Sequence, residues 1–306
     1  MKKPFAALFT SIVAVSFAAI IIYFLIEFEG VPPLTISFYR LFFTTLIILP
    51  FVLLRKKTRL ELLKLPRSTM FIMMIIGIIL AAHFALWITS LSKTSVASSV
   101  ILVTAHPIIV GPISYYFLKE KLSKINAIGI AISVAGVIAL VYGNYGFASI
   151  GLNTLEGNIL AMLGGVAAGL YILGGRKLRK NISVLTYAFI VYSVGTITLF
   201  FICLLFNSPV YNLSMKEYQL IFLMAIVAGI FGHTLYNWSL KYIRASVASV
   251  ALLGEPIGSS ILAYIIPSIH QEPSLYTILG GSVVILGIYL TSRKTDETDM
   301  LNEEHT

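Results

Sequence analysis

The chain has 306 residues; 58% are apolar, only 11% are charged, and the formal net charge is +9. A soluble domain carries roughly 25% charged residues, so this composition excludes a water-soluble fold and describes a protein that crosses the membrane several times. A single cysteine, Cys203 inside an apolar run, excludes an internal disulfide and a cysteine-built metal site, and no cofactor is expected.

Met1-Lys2-Lys3 is a basic start. The apolar run behind it, residues 5–26, is longer than a signal-peptide core and reads as a retained helix. Glu27, Glu29 and Gly30-Val31-Pro32-Pro33 form a turn. A second helix is predicted over 34–54 with Arg40 inside it, and 55–67 reads as a basic loop. The third helix covers 69–91, Lys93-Thr94 reverses the chain, and the fourth runs to 118. Lys119-Glu120-Lys121 and Lys124 precede a fifth helix over 125–142, and 143–153 is a linker rich in glycine, asparagine and serine. Helix six is predicted over 155–175, with a basic loop at 176–181. Helices seven to ten follow over 184–206, 218–240, 245–266 and 274–292. The polar, acidic segment 295–306 has too few apolar residues to build a core.

One short stretch occurs twice. Lys93-Thr94-Ser95-Val96-Ala97-Ser98-Ser99-Val100, running on to His106-Pro107, returns as Arg244-Ala245-Ser246-Val247-Ala248-Ser249-Val250, running on to Glu255-Pro256. Aligning Ser95 with Ser246 gives an offset of 151, which also carries Trp87 onto Trp238, Gly129 onto Gly280 and Gly136 onto Gly287. Residues 1–148 and 149–295 therefore read as two copies of one unit, with 296–306 as a disordered tail. Each copy holds five helices, an odd number, so the second enters the membrane from the opposite side. The predicted fold is an all-α polytopic membrane protein of ten transmembrane helices in two inverted five-helix repeats.

With the N-terminus placed inside, 19 of the 22 lysines and arginines fall on inner segments; only Lys93 and Lys216 fall outside, and Arg40 lies within a helix. This bias predicts that both termini are cytoplasmic and that the chain sits in the cell membrane. The basic excess is topological, so a nucleic-acid partner is not expected. Contact with anionic lipid is compatible with it.

The pattern resembles the drug/metabolite transporter superfamily, in its ten-helix EamA-like branch. The resemblance is carried by Phe38-Tyr39-Arg40-Leu41, Ser95-Val96-Ala97-Ser98 with Pro107, Glu120-Lys121-Leu122, and Gly129 with Ala135-Gly136-Val137. The second copy supplies Ala248-Ser249-Val250, Glu255-Pro256, and Gly280 with Leu286-Gly287-Ile288. It covers residues 4–293 and departs at Ile269-His270-Gln271-Glu272-Pro273, where an insertion changes an outer loop. It implies export or exchange of small metabolites, often amino acids, by alternating access.

Candidate site residues are the polar groups inside predicted helices. Glu255 lies roughly 15 Å into helix nine and His106 equally deep in helix four, each next to a proline. A mid-membrane ionisable group is costly and marks either function or a structural partner of the proline kink. Arg40, roughly 10 Å from the outer end of its helix, lines a cavity or bonds carbonyls. His83 and Trp87 share a helix face, as do His233, Tyr236 and Asn237; such faces look inward, not at lipid. Trp238, the repeat partner of Trp87, is either a cavity wall or an interfacial belt residue. Tyr171 is a further substrate-binding candidate. The small-residue stripes Gly129-Ser133-Gly136 and Gly280-Val284-Gly287 fit either scaffold packing or a homodimer contact through helices five and ten.

No HExxH or GxSxG occurs, and no aspartate precedes Asp296, which speaks against an enzyme; no ATPase motif is present. A channel would favour one continuous pore with rings of one residue type. With one Arg and one Glu inside the membrane, a polyanionic cargo is disfavoured. The expected cargo is a zwitterionic or neutral metabolite, amino acids first. Lipophilic or polyamine cations drawn to Glu255, or a lipid flipped on the same fold, are the alternatives.

Overall fold

The computed structural model describes residues 2–94, 96–120, 123–145, 152–266 and 275–292. The linker tip, the insertion around Glu272, the tail, Ser95, and Lys121-Leu122 lie outside the described residues.

All regular structure among the described residues is helical: α1 (Lys2–Glu27), α2 (Pro33–Leu54), α3 (Lys56–Lys64), α4 (Arg67–Ser90), α5 (Val96–Thr104), α6 (Pro107–Phe117), α7 (Lys124–Tyr145), α8 (Leu152–Arg179) and α9 (Val184–Leu205). There follow α10 (Met215–Met224), a π-helical segment (Ala225–Thr234), α11 (Leu235–Ser239), α12 (Ala245–Ala251), a 3₁₀ turn (Leu252–Gly254), α13 (Glu255–Ile265) and α14 (Leu275–Ser292). Seven helical stretches are long and apolar enough to cross a membrane, and three shorter apolar stretches, Leu102–Phe117, Lys124–Ala139 and Ile278–Thr291, occupy the places of predicted helices four, five and ten. Large apolar side chains such as Phe71, Phe201 and Ile285 remain more than half exposed, the surface that a lipid solvent requires.

The structure differs from the predicted elements in five places. The basic loop 55–67 contains α3, because Thr58, Glu61, Leu62 and Leu65 recur at helical spacing and pack inward before Pro66 ends the run. The basic loop after predicted helix six is the last turn of α8, and Arg176 and Arg179 are buried there, not solvated. Predicted helix four is broken at Ala105-His106, where Pro107 starts α6 at a position that needs no backbone donor. Predicted helix eight carries ten residues of π-helix. Helix nine is likewise interrupted, by the 3₁₀ turn just before Glu255-Pro256.

The inversion is visible in contacts between repeat equivalents. A Cβ on Gly129 would stand 2.8 Å from the Gly287 carbonyl oxygen, and one on Gly136 would stand 2.9 Å from that of Gly280. Gly280 and Gly287 are the repeat partners of Gly129 and Gly136, so α7 and α14 meet antiparallel and make the same contact twice. Thr45 on α2 bonds Thr196 on α9 at 3.2 Å, and these are equivalents 151 apart. A residue that touches its own equivalent lies on the two-fold axis. Around that axis the halves exchange partners: α4 packs along α8, and α1 packs along the π segment, α11 and α10. The glycine stripes are thus used inside one chain, where small residues let backbones approach without lipid between them. A dimer through these helices has to use their other faces.

Candidate functional site

A cavity opens where the two halves meet. Arg40, His83, Trp87 and His106 reach it from the first half, and Tyr171, His233, Tyr236 and Glu255 from the second. Eight of the ten sequence-predicted site residues are therefore brought together. Val15, Val103, Thr104, Ala168, Ile172 and Leu252 complete the lining; as ordinary apolar and hydroxyl residues they carry no signal in the sequence.

Local breaks in the helices place the polar groups. His106 stands at the gap between α5 and α6, and its carbonyl accepts from Ile109 N at 2.9 Å and Val110 N at 2.8 Å. Glu255 opens α13. Its carbonyl accepts from Ser259 Oγ at 2.5 Å and Ser16 Oγ at 3.4 Å, which ties α1 to the second half beside the carboxyl group. Gly258 allows this approach, since a Cβ there would stand 2.2 Å from Ser16 Oγ.

The π segment accounts for the eighth span. Its wider turns rotate the following residues relative to an α-helix. Thr234 Oγ1 bonds the Gly229 carbonyl five residues back at 2.9 Å, and Gly229 lies so close to Thr44 that no Cβ fits. Trp87 and His83, four apart on α4, face the cavity, but their repeat equivalents Trp238 and Thr234 do not; His233 and Tyr236 take their places. Trp238 instead packs on Tyr242 with ring centres 5.0 Å apart, which corrects its assignment as a cavity wall. Asn237 also lies behind the wall and not in it. Its amide nitrogen donates to Tyr171 Oη, to Tyr192 Oη at 3.2 Å and to the His233 carbonyl at 2.8 Å, so it holds two wall residues in place.

The cavity is rich in unused polar atoms. Arg40 is 1% exposed, and neither Nη1 nor Nη2 has a hydrogen-bond partner among the described residues. Its guanidinium carbon lies 4.4 Å from the centre of Phe84 and 5.7 Å from that of Trp87, so cation–π contact offsets part of the desolvation. Trp87 Nε1, His106 Nδ1 and Tyr236 Oη are likewise unpartnered. His83 Nδ1 lies 3.0 Å from the Gly164 carbonyl; a carbonyl only accepts, so Nδ1 carries the proton. Its ring stacks on Trp87 at an interplanar angle of 9° and lies 6.5 Å from His233. The cavity therefore offers one cation, several neutral donors and aromatic faces, and one carboxyl group, Glu255. Buried polar atoms without partners are costly unless something is bound to them.

The halves are also tied toward the end of the bundle that carries the N-terminus. Arg176 Nε bonds Glu120 Oε1 at 2.7 Å, with both side chains almost fully buried. Arg176 Nη1 donates to the Leu240 and Lys241 carbonyls at 3.0 and 2.9 Å, and Glu120 Oε2 accepts from Ala245 N at 3.0 Å. Glu120 is aimed inward by the end of α6. Lys119 adopts φ 53°, and Glu120 N closes back onto the Ser114 carbonyl six residues earlier, at 3.2 Å. Arg179 Nε reaches the Asn237 carbonyl at 2.9 Å. At the opposite end the halves are joined by Lys93 and Glu156, at 2.8 Å but largely exposed. In the sequence Glu120 stands only in the segment before helix five and in the family resemblance, and Arg176 in a basic loop. The signal that was available is an acid and a base, each at a helix end, on opposite halves.

The profile of the EamA-like transporter family matches residues 4–142 and 155–293. The chain belongs to the EamA-like transporter family. Its two matched segments correspond to the two halves related by the two-fold axis. Relatives include the uncharacterized transporter YyaM of Bacillus subtilis (strain 168), 24% identical over 71% of this chain and 72% of that one. Another, from Archaeoglobus fulgidus, is 28% identical over 67% of this chain and 71% of its own length. A solved crystal structure superposes with a TM-score of 0.70 at 15% identity, covering 93% of this chain and 96% of that chain, and speaks for the fold alone.

Proposed function

We propose that this EamA-family transporter is a secondary carrier that moves a small zwitterionic metabolite, amino acids first, across the cytoplasmic membrane by alternating access, with both termini in the cytoplasm. The observation that carries this reading is Arg40: a buried guanidinium with both terminal nitrogens unpaired, lining the same cavity as the carboxyl group of Glu255. A carboxylate on the cargo would complete the hydrogen bonds of Arg40. An ammonium would be held by Glu255 and by the aromatic faces of Trp87 and Tyr171. The cavity's position between inverted repeats supports rocking of one half on the other as the transport movement.

One observation favours a second reading. The aromatic lining around a lone carboxyl group also suits a lipophilic or polyamine cation. Proteoliposomes loaded separately with amino acids, organic cations and nucleotides, with the same vesicles carrying Arg40→Gln, separate the two. Amino-acid flux that depends on Arg40 supports the first reading. Cation flux indifferent to Arg40 replaces it with the second, and nucleotide flux would sink both.

A further inference from the structure

Helix α3 has a face that the transport cavity does not use. Thr58, Glu61, Leu62 and Leu65 turn inward, and Leu62 and Leu65 pack against the core. At about 100° per residue the opposite side is centred on Lys56, Leu60 and Leu63, flanked by Arg59 on one side and Lys57 and Lys64 on the other. Leu63 is 83% exposed and Leu54, just before the helix, 82%. These leucines continue the exposed strip of Phe51 and Leu53 on α2, the lipid-facing surface already described. Arg55 and Arg67 stand exposed at either end.

The charge on this face is unopposed. Among the described residues none of the six cations from Arg55 to Arg67 is ion-paired with a carboxylate. The one acid of the segment, Glu61, is turned away: Oε1 accepts from Ser183 N at 2.8 Å and Oε2 from Thr186 Oγ1 at 2.5 Å, at the start of α9. Partial burial pushes the Glu61 carboxyl upward, but the bonds from Ser183 and Thr186 outweigh it and hold the group below the usual carboxylate range. The acid is thus kept charged and engaged with the protein, while leucines flanked by lysine and arginine face outward. Apolar side chains next to cations, continuous with a lipid-facing strip, fit the headgroup–acyl boundary of a bilayer.

We propose that α3 is an interfacial helix that binds anionic phospholipid headgroups, with Leu54, Leu60 and Leu63 dipping into the acyl boundary and Lys56, Lys57, Arg59 and Lys64 holding phosphate. It is separate from the cargo cavity and does not depend on the identity of the cargo.

The full chain in detergent is titrated with phosphatidylglycerol and, separately, with phosphatidylcholine, and individual binding events are resolved by native mass spectrometry. The wild type should bind phosphatidylglycerol the more tightly. The variant K56Q/K57Q/R59Q/K64Q should weaken phosphatidylglycerol binding roughly tenfold or more and leave phosphatidylcholine binding unchanged. K56R/K57R/K64R should keep the wild-type preference. If the quadruple variant loses its thermal midpoint, the pairs K56Q/K57Q and R59Q/K64Q are read instead, each with a partial loss. Unchanged phosphatidylglycerol affinity in folded variants, or equal loss for both lipids, overturns the proposal. So does a dimer of the wild type that disappears in the variants, since a second copy would then cover this face.

Discussion

The guanidinium carbon of Arg40 lies 4.4 Å from the ring centre of Phe84, and its two terminal nitrogens have no hydrogen-bond partner among the described residues. A buried charge held against an aromatic ring with no hydrogen bond on its terminal nitrogens costs stability unless it serves a ligand. Arg40→Gln should therefore lower transport of a carboxylate cargo by roughly a hundredfold, the size of a lost buried charge contact, while leaving the thermal midpoint unchanged or higher. Lys241→Gln, at an exposed position toward the end of the bundle that carries the N-terminus, should transport almost normally at matched expression. Comparable losses in the two variants would show that Arg40 has no special relation to cargo.

Among the described residues Glu255 is the one carboxyl group lining the cavity. If it carries a proton with or against cargo, Glu255→Gln should fold with a near-native midpoint and show a flux that no longer varies with pH. His106→Ala should weaken cargo affinity with less effect on the fold, because its Nδ1 is unpartnered and its carbonyl, not its ring, makes the helix contacts. Proteoliposome flux measured across a pH range, beside a thermal-shift control, decides this. A Glu255→Gln profile that matches wild type would reduce the carboxyl group to a partner of the break at Pro256.

Much of this site was legible because two facts of sequence are physically strong. Arg40, Glu255 and the histidines are polar groups deep in apolar runs, and such groups have to face the bundle interior. The 151-residue offset pairs Gly129 with Gly280 and Gly136 with Gly287 but leaves scaffold packing and a homodimer contact open; only the fold shows the stripes meeting each other between α7 and α14. What stayed open did so for a backbone reason. The sequence leaves Trp238 as either a cavity wall or an interfacial belt residue; it follows the π segment and is absent from the cavity lining, and nothing in Ala225–Thr234 distinguishes π from α winding by periodicity. The sequence places Arg176 in a basic loop and Glu120 in the loop before helix five, because each lies at a helix end. Only the fold shows that the two ends meet and exclude water. The helix in the segment 55–67 was hidden by its charges, whose leucines and Thr58 carry the inward period.

The α7–α14 contact leaves no room for side chains. A Cβ on Gly129 would come within 2.7 Å of Thr291 N, and one on Gly136 within 2.8 Å of Val284 N, both backbone atoms that cannot swing aside. Gly129→Val and Gly136→Val should each destabilise by about 1–3 kcal/mol, seen as a lower thermal midpoint in detergent. Gly30→Ala is the contrasting control: its loss would come from φ +68° alone, since nothing lies within 4 Å of a Cβ there. Wild-type midpoints for both valine variants would mean that the two helices separate more readily than this packing allows.

Glu120 and Arg176 supply the last test. Their ion pair joins the end of α6 to α8, while the same two side chains reach the turn after α11 and the first backbone amide of α12, so four elements of both halves close on one point. Tyr171 on the cavity wall precedes Arg176 by five residues, about 7.5 Å along the helix, so this point lies between the cavity and the end that carries the N-terminus. In the alternating access proposed above, opening toward that end requires the pair to part. Removing one partner leaves a buried charge uncompensated, at about 3–5 kcal/mol, and that cost falls on the closed state only. Glu120→Gln and Arg176→Gln should therefore each shift the protein toward the state open at that end. In a Cys203→Ser background, a cysteine placed at Ala168 in the cavity should label faster from that side in either variant. Their double variant should fall closer to wild type than the sum of the two, as a coupled pair requires. Equal labelling in wild type and both variants would mean that the pair stabilises the fold without controlling access.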